Sequence, residues 1–247
     1  MTNIVVLNNQ THRTLRVQVG ASANLGDNQH FVQVTVREFP FLVAHYPILL
    51  SKDSSTGAFY CGAMLGIDKD ENLFLDGGDT YRPLNLQRVP FHTVGSDLAI
   101  DLDSPRVGQN KGEPLFDENG EPTPYLKSIM ATFLELRSAI EMTKVFIESL
   151  MKLKLVEPID IDVGFDDGTK RDLVGLYTVN QDTLKRLPDA TVIDLFRRGY
   201  LQLIYLMIAS LKQVPVLAQK KNRRLLQAGD GNRPGAVGDS TAAIRIQ

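Results

Sequence analysis

The side chains able to do chemistry are few: His12, His30, His45 and His92, the single Cys61, and several carboxylates whose surroundings set them apart. No two histidines stand four residues apart, and none sits in an HxD or HxE pair, so no local motif builds a metal site. Two of them with a carboxylate could still assemble in space as the facial triad of a non-haem iron centre. Cys61 lies in AFYCGAML, an apolar strand-like run where burial opposes thiolate formation, and is expected to be an inert core thiol. One cysteine excludes an internal disulfide and fits a reducing, cytoplasmic compartment.

Asp68, Asp70 and Asn72 open like a calcium loop. Leu73 replaces the glycine needed at the sixth position and Asp79 the glutamate at the twelfth, so an acidic turn is expected. Glu38 is the more informative carboxylate. If the alternation of Val32, Val34 and Val36 continues, Glu38 points to the apolar side, where a charge needs a partner. Arg82 or Arg88 in YRPLNLQRVPF could supply it; the alternatives are a ligand-binding group, or a bulge at Pro40 that turns Glu38 outward. Lys220–Arg224, KKNRR, reads as the solvated basic end of a helix. HTVGSD lacks the glycine pattern of a nucleophile elbow, and no P-loop or CxxC occurs.

These residues must be positioned by two kinds of element. TLRVQV (14–19) and FVQVTVREF (31–39) alternate with period two, and further short strands are expected at 46–51, 59–67, 72–75 and 98–102. Turn-forming residues at LGDNQ, DKDEN and DGGD separate them. The composition changes at SPRVGQNKGEPLFDENGEPTP, rich in Gly and Pro. Thr123–Pro124 then opens an amphipathic helix whose apolar residues, Ile129, Phe133, Ile140 and Ile147 among them, recur at helical steps to about Leu155. Asp166–Asp167–Gly168–Thr169 is the turn of a hairpin, and short helices capped by Asn180 or Asp182 and by Asp189 follow.

The expected class is therefore α+β: an N-terminal antiparallel β sandwich or barrel packed with a C-terminal helical part that contains one hairpin. The expected organisation is a mainly β region over 1–105, a linker or loop over 106–123, a helical region over 124–226 with its hairpin at 159–179, and a disordered tail over 227–247. The run YLQLIYLMIASL, Tyr200–Leu211, is too short for the ~20 residues that span a bilayer, so a buried core helix is expected and no transmembrane segment. Ile204, Leu206, Ile208 and Leu211 are its expected buried positions. The 247-residue chain is 43% hydrophobic and 23% charged with net charge −2, which gives no electrostatic reason to expect nucleic acid or an anionic membrane as a partner.

In order and spacing, THRTLRV (11–17), REFPFLVAHYPILL (37–50), LGIDKDENLFLD (65–76), YRPLNLQRVPF (81–91), LFDENGEPTPYL (115–126) and VNQDTLKRLPDATVIDLFRRGYLQLIYLMIASL (179–211) resemble the SapC-like family. The resemblance runs from about His12 to Leu211. It implies a bacterial protein named for an S-layer secretion locus, with relatives encoded near TonB-dependent receptors and flavin-dependent halogenase-like proteins. The family has no agreed catalytic residues, so none is carried over, and the permease label given to relatives conflicts with the hydropathy above.

The leading reading is a soluble, non-enzymatic accessory protein that binds a protein or peptide partner, for instance by strand addition at a sheet edge. Its candidate binding residues are Glu38, Arg88, His12, His45 and Tyr81, with no catalytic residue assigned and no metal or cofactor expected. The alternative is a metal-dependent oxygenase of the non-haem iron type, or another enzyme with a pocket in the β region.

Overall fold

Of the strands expected, most form but are shorter than their pattern suggests, and 72–75 is a turn rather than a strand. The computed structural model describes residues 3–75, 80–229 and 242–246. It is α+β, with three open antiparallel sheets and a C-terminal helical part that includes a hairpin. The chain divides into two compact units, one made of Met1–Asn28 and Arg82–Ser138, the other of Gln29–Tyr81 and Ala139–Gln247.

The first unit holds two small sheets. In one, β1 (Ile4–Val6) and β6 (Phe91–Val94) flank β7 (Asp97–Asp101); in the other, β8 (Val107–Gly108) and β9 (Glu113–Pro114) flank β2 (Arg16–Val17). Within the stretch 106–123, loops connect the two short strands β8 and β9, and Phe116 bridges to Pro122. Gly112 makes this possible, since its φ of 102° and its approach to the Val17 carbonyl leave no room for a side chain. Val17, Phe91, Ile100, Leu115, Leu126 and Ile129 form the core. The unit also contains the one-turn helix α2 (Leu84–Gln87) and the start of α3 (Pro124–Lys152). Thr123 caps α3 as expected, its hydroxyl oxygen accepting the Leu126 N–H at 3.3 Å.

The second unit is built on one six-stranded sheet. Its order is β12 (Ala242–Ile246), β10 (Val156–Gly164), β11 (Lys170–Val179), β4 (Ile48–Lys52), β5 (Phe59–Met64), β3 (Phe31–Gln33). The hairpin β10–β11 turns at Asp167–Gly168, where Gly168 takes a φ of 83° and the Asp167 carboxylate accepts from the Thr169 N–H at 2.9 Å. Of the tail expected from residue 227, helix continues to Gly229, 242–246 pair with β10, and 230–241 and 247 lie outside the described residues.

Helices cover this sheet. From Ala139 onward α3 buries Ala139, Thr143, Phe146, Ile147 and Leu150, a single stripe that leaves Ile140 off it and 47% exposed, against expectation. Phe133, earlier on the same helix, is half-buried. Then come α1 (Phe39–Leu42), α4 (Gln181–Lys185), capped by the Asn180 side chain, α5 (Asp189–Arg197), α6 (Tyr200–Ser210) and α7 (Gln213–Gly229). Asp189 begins α5 without a side-chain capping bond, which Pro188 precedes as the cap residue.

The apolar run does not stop at Leu211. After a turn at Leu211–Lys212 it continues, so Tyr200–Gln227 is a 28-residue helical run, long and apolar enough by length and composition to cross a membrane. The length argument from sequence therefore fails. Its inner stripe is nonetheless buried inside this unit: Leu211, Val214, Leu217 and Ala218 pack with Leu49, Met64, Ile159 and Ile161. Ile204 and Met207 are buried too, whereas Leu206 and Ile208 are half-buried. The Ser210 hydroxyl oxygen accepts the Ile48 N–H at 2.8 Å, which ties α6 to β4.

Candidate functional site

Glu38 is buried, 1% exposed, but not by strand alternation. β3 ends at Gln33, and the chain turns so that Thr35 and Glu38 both point inward. The Glu38 carboxylate accepts the Thr35 N–H at 2.8 Å and the Thr35 hydroxyl at 3.0 Å. This is half of a capping box, in which a glutamate three residues into a helical turn satisfies the backbone of its first residue. The sequence signal was T-x-x-E at Thr35–Glu38, which the strand reading passed over. Tyr81 donates its hydroxyl to Glu38 Oε1 at 3.4 Å and stacks on Phe41 at 5.2 Å between centroids. Tyr46 donates to the Tyr81 carbonyl at 2.9 Å, and burial raises its phenol above the ordinary value. His45 lies edge-on to Tyr46. The structure thus gathers Glu38, Tyr81 and His45 along one aromatic cluster.

The other two candidates belong to the first unit. Arg88 donates to Asn85 Oδ1 at 2.7 Å and to the Phe91 carbonyl at 3.0 Å, and its guanidinium lies over the Phe133 ring. Within its own unit Arg88 is thus held by local bonds. His12 uses Nδ1 to accept the Asn8 N–H at 3.0 Å, closing a loop. Arg82 serves another carboxylate that the sequence reading assigned only to a turn. Asp27 receives Arg82 at 2.7 Å and also Arg106, with both Asp27 and Arg106 side chains 1% exposed. Arg106 further donates to the Gln18 and Gly20 carbonyls.

The acidic turn and the basic helix end also meet each other. Lys221 is buried and reaches Asp68 at 2.7 Å and Glu71 at 2.6 Å, while Arg171 holds the other Asp68 oxygen. KKNRR is therefore not uniformly solvated; Arg224 too turns inward, to the Asn72 carbonyl. Burial opposes the charges of Asp68 and Lys221, yet their mutual bonds outweigh it, lowering the Asp68 pKa and raising that of Lys221.

What the Thr35–Glu38 turn presents outward is a groove. Val36 and Arg37 form one wall, Glu141, Met142 and Val145 of α3 a second, and Arg198, Gly199, Tyr200 and Leu203 the third, around a volume of about 650 Å³. Three contacts fix these walls. The Val36 N–H donates to Thr143 Oγ1 at 3.0 Å; Phe39, Phe146 and Tyr200 stack edge to face in sequence; and Gly199, with φ of 73°, lets α5 turn into α6. Met142 is 47% and Val145 44% exposed on the floor. Arg198 lies over Tyr200 and donates to its hydroxyl at 3.1 Å. Arg37 is exposed and makes no hydrogen bond or ion pair among the described residues.

The groove's lining is mainly apolar, with Arg37, Glu141 and Arg198 as its charged members. Among the described residues no three His, Cys, Asp or Glu side chains are grouped to hold a metal ion, so the facial triad has no set of ligands there. The Cys61 thiol is buried and its pKa raised by that burial, as its apolar run implied.

Compared with known families, residues 7–217 match the family model described as SapC. No curated protein and no solved structure matches the chain significantly.

Proposed function

The chain belongs to the SapC family, and we propose that it works as a non-catalytic accessory module that seats an apolar segment of a protein partner in the groove between α3, the α5–α6 corner and the Val36–Arg37 turn. The observation that supports this reading is a half-exposed apolar floor, Met142 and Val145, beside the unpartnered Arg37 guanidinium. Helix-in-groove recognition takes that form: apolar anchors enter the floor, and a charged rim fixes their register. The groove suits this better than the outermost strand β3, which is only three residues long and offers few ladder bonds. Glu38 then holds the turn that presents Arg37 and does not itself meet the partner. The finer reading, that the partner belongs to S-layer secretion or TonB-dependent uptake, rests on the family resemblance.

A photo-crosslinking residue at Met142 tests this in living cells. It should capture a discrete partner, and Arg37→Glu and Val145→Asp should each abolish the product. The same residue at Lys111, in the other unit, should not capture that partner. Capture that survives both substitutions would overturn the groove, and a partner outside surface assembly and uptake would overturn the finer reading.

A further inference from the structure

The run α6–α7 has a second face that nothing in the unit covers. Opposite its buried stripe, Tyr205, Ala209, Lys212, Val216, Gln219, Arg223 and Leu226 recur at steps of three and four, and all are exposed. Apolar and cationic side chains share this face, with Tyr205 56% exposed. The preceding α5 adds Ile193, Arg197 and Phe196, the last 72% exposed. Between Asp194 and Asp230 there is no acidic residue, although the chain as a whole has net charge −2. Solvated helices ordinarily mix both signs. Lys221 and Arg224 turn inward, but the side chains of Arg197, Lys212 and Arg223 make no hydrogen bond or ion pair among the described residues.

We propose that this outer face docks on an anionic lipid bilayer, with α6–α7 lying in the plane of the interface. Apolar and aromatic side chains alongside cations, with no acid from Leu195 to Gly229 and the exposed Asp194 of α5 paired with Arg198 at 3.5 Å, suit the boundary between headgroups and acyl chains. Nucleic acid would use the cations but leave Phe196, Val216 and Leu226 without a role. A second copy across a two-fold axis would set Lys212 and Arg223 against like charges. The run does not cross the membrane in this arrangement, because its inner stripe is held in the core of the unit. The inference is independent of the groove and its partner.

Flotation of the full chain with phosphatidylcholine vesicles, with and without added phosphatidylglycerol, tests it. The protein should float with the anionic vesicles at low salt, not with the neutral ones, and be released as salt is raised. Lys212→Ala and Arg223→Ala should each lower partitioning about five-fold. Phe196→Ser, at an exposed position, should lower it as well while leaving the circular dichroism spectrum and thermal unfolding unchanged. No flotation with anionic vesicles would overturn the proposal, as would flotation indifferent to all three variants. Sedimentation equilibrium showing a dimer that Phe196→Ser dissolves would assign the face to a second copy instead.

Discussion

Replacing Asp27 by Asn would leave two guanidiniums around a neutral amide. The Asp27 carboxylate takes Arg82 on one oxygen and Arg106 on the other, and also accepts the Ser22 N–H at 2.8 Å. Removing one partner of a buried ion pair costs about 3–5 kcal/mol, because the charge left behind stays desolvated. Arg82 keeps 24% of its side chain exposed, so its share is discounted; Arg106, at 1%, gets no such relief. Asp27→Asn should therefore destabilise the first unit by about 3–4 kcal/mol, a large part of the ~5–15 kcal/mol that holds a typical domain folded. Arg106→Met should cost less, about 1.5–3 kcal/mol, since Asp27 keeps Arg82 and the backbone donor. Urea unfolding followed by circular dichroism measures both. Tyr125 gives a second readout: burial, against the pull of Arg106 and Arg82, pushes its phenol up to about 12. In Asp27→Asn it should ionise at lower pH, the guanidinium charges being less compensated. A cost for Asp27→Asn below about 1 kcal/mol, the scale of an exposed ion pair, would refute the argument. So would Arg106→Met proving the more damaging change.

Two further outcomes follow from the second unit. The contribution of the Lys221 cluster should be full between about pH 4 and about pH 10, because Asp68 is depressed and Lys221 raised relative to the unfolded chain. It is lost as pH falls through the folded pKa of Asp68 or rises through that of Lys221, so the stability gap between wild type and Lys221→Met should shrink at both extremes; a gap of constant size at about pH 2 and pH 7 would contradict the ion pairs. Thr35→Val and Glu38→Gln should each destabilise by about 1–2 kcal/mol, and the double variant by at least ~0.5 kcal/mol less than their sum. Strict additivity would mean that the two side chains do not act as one cap.

The helices were legible because their signals are local. Thr123, Asn180 and the three-and-four spacing along α3 each act within a few residues, and Asp167–Gly168 closes its hairpin by itself. The Glu38 site was half legible: its burial was foreseen from a strand that had already ended at Gln33, and a helical turn produced the same burial. Partner choice was not legible. Arg82 was read only against Glu38, whereas its partner Asp27 was seen as a turn residue, and Lys221 meets Asp68 only once the fold brings α7 beside the acidic turn. The strands at 107–108 and 113–114 were hidden because two-residue strands have no periodicity. The groove was missed because the helical stripe read from the sequence ran through Ile140 and Ile147 and left Met142 and Val145 out, and only packing decides which side chains line a groove.

The order of strands in the large sheet has a consequence for synthesis. β4 pairs through Leu50 and Ser51 with Tyr177 and Leu176 of β11, yet the first unit takes its last residue, Ser138, from the stretch between them. At roughly 5–20 residues per second, a ribosome needs about 6–25 s to travel from one partner strand to the other. Throughout that interval the side of β4 that β11 will cover, next to the fully buried Leu49 and Leu50, has no strand to join. The first unit can close during this wait, while the larger sheet remains an open, sticky margin. Translation halted short of Val179 therefore leaves a chain whose β4 still lacks its β11 partner and exposes that margin to chaperones and proteases.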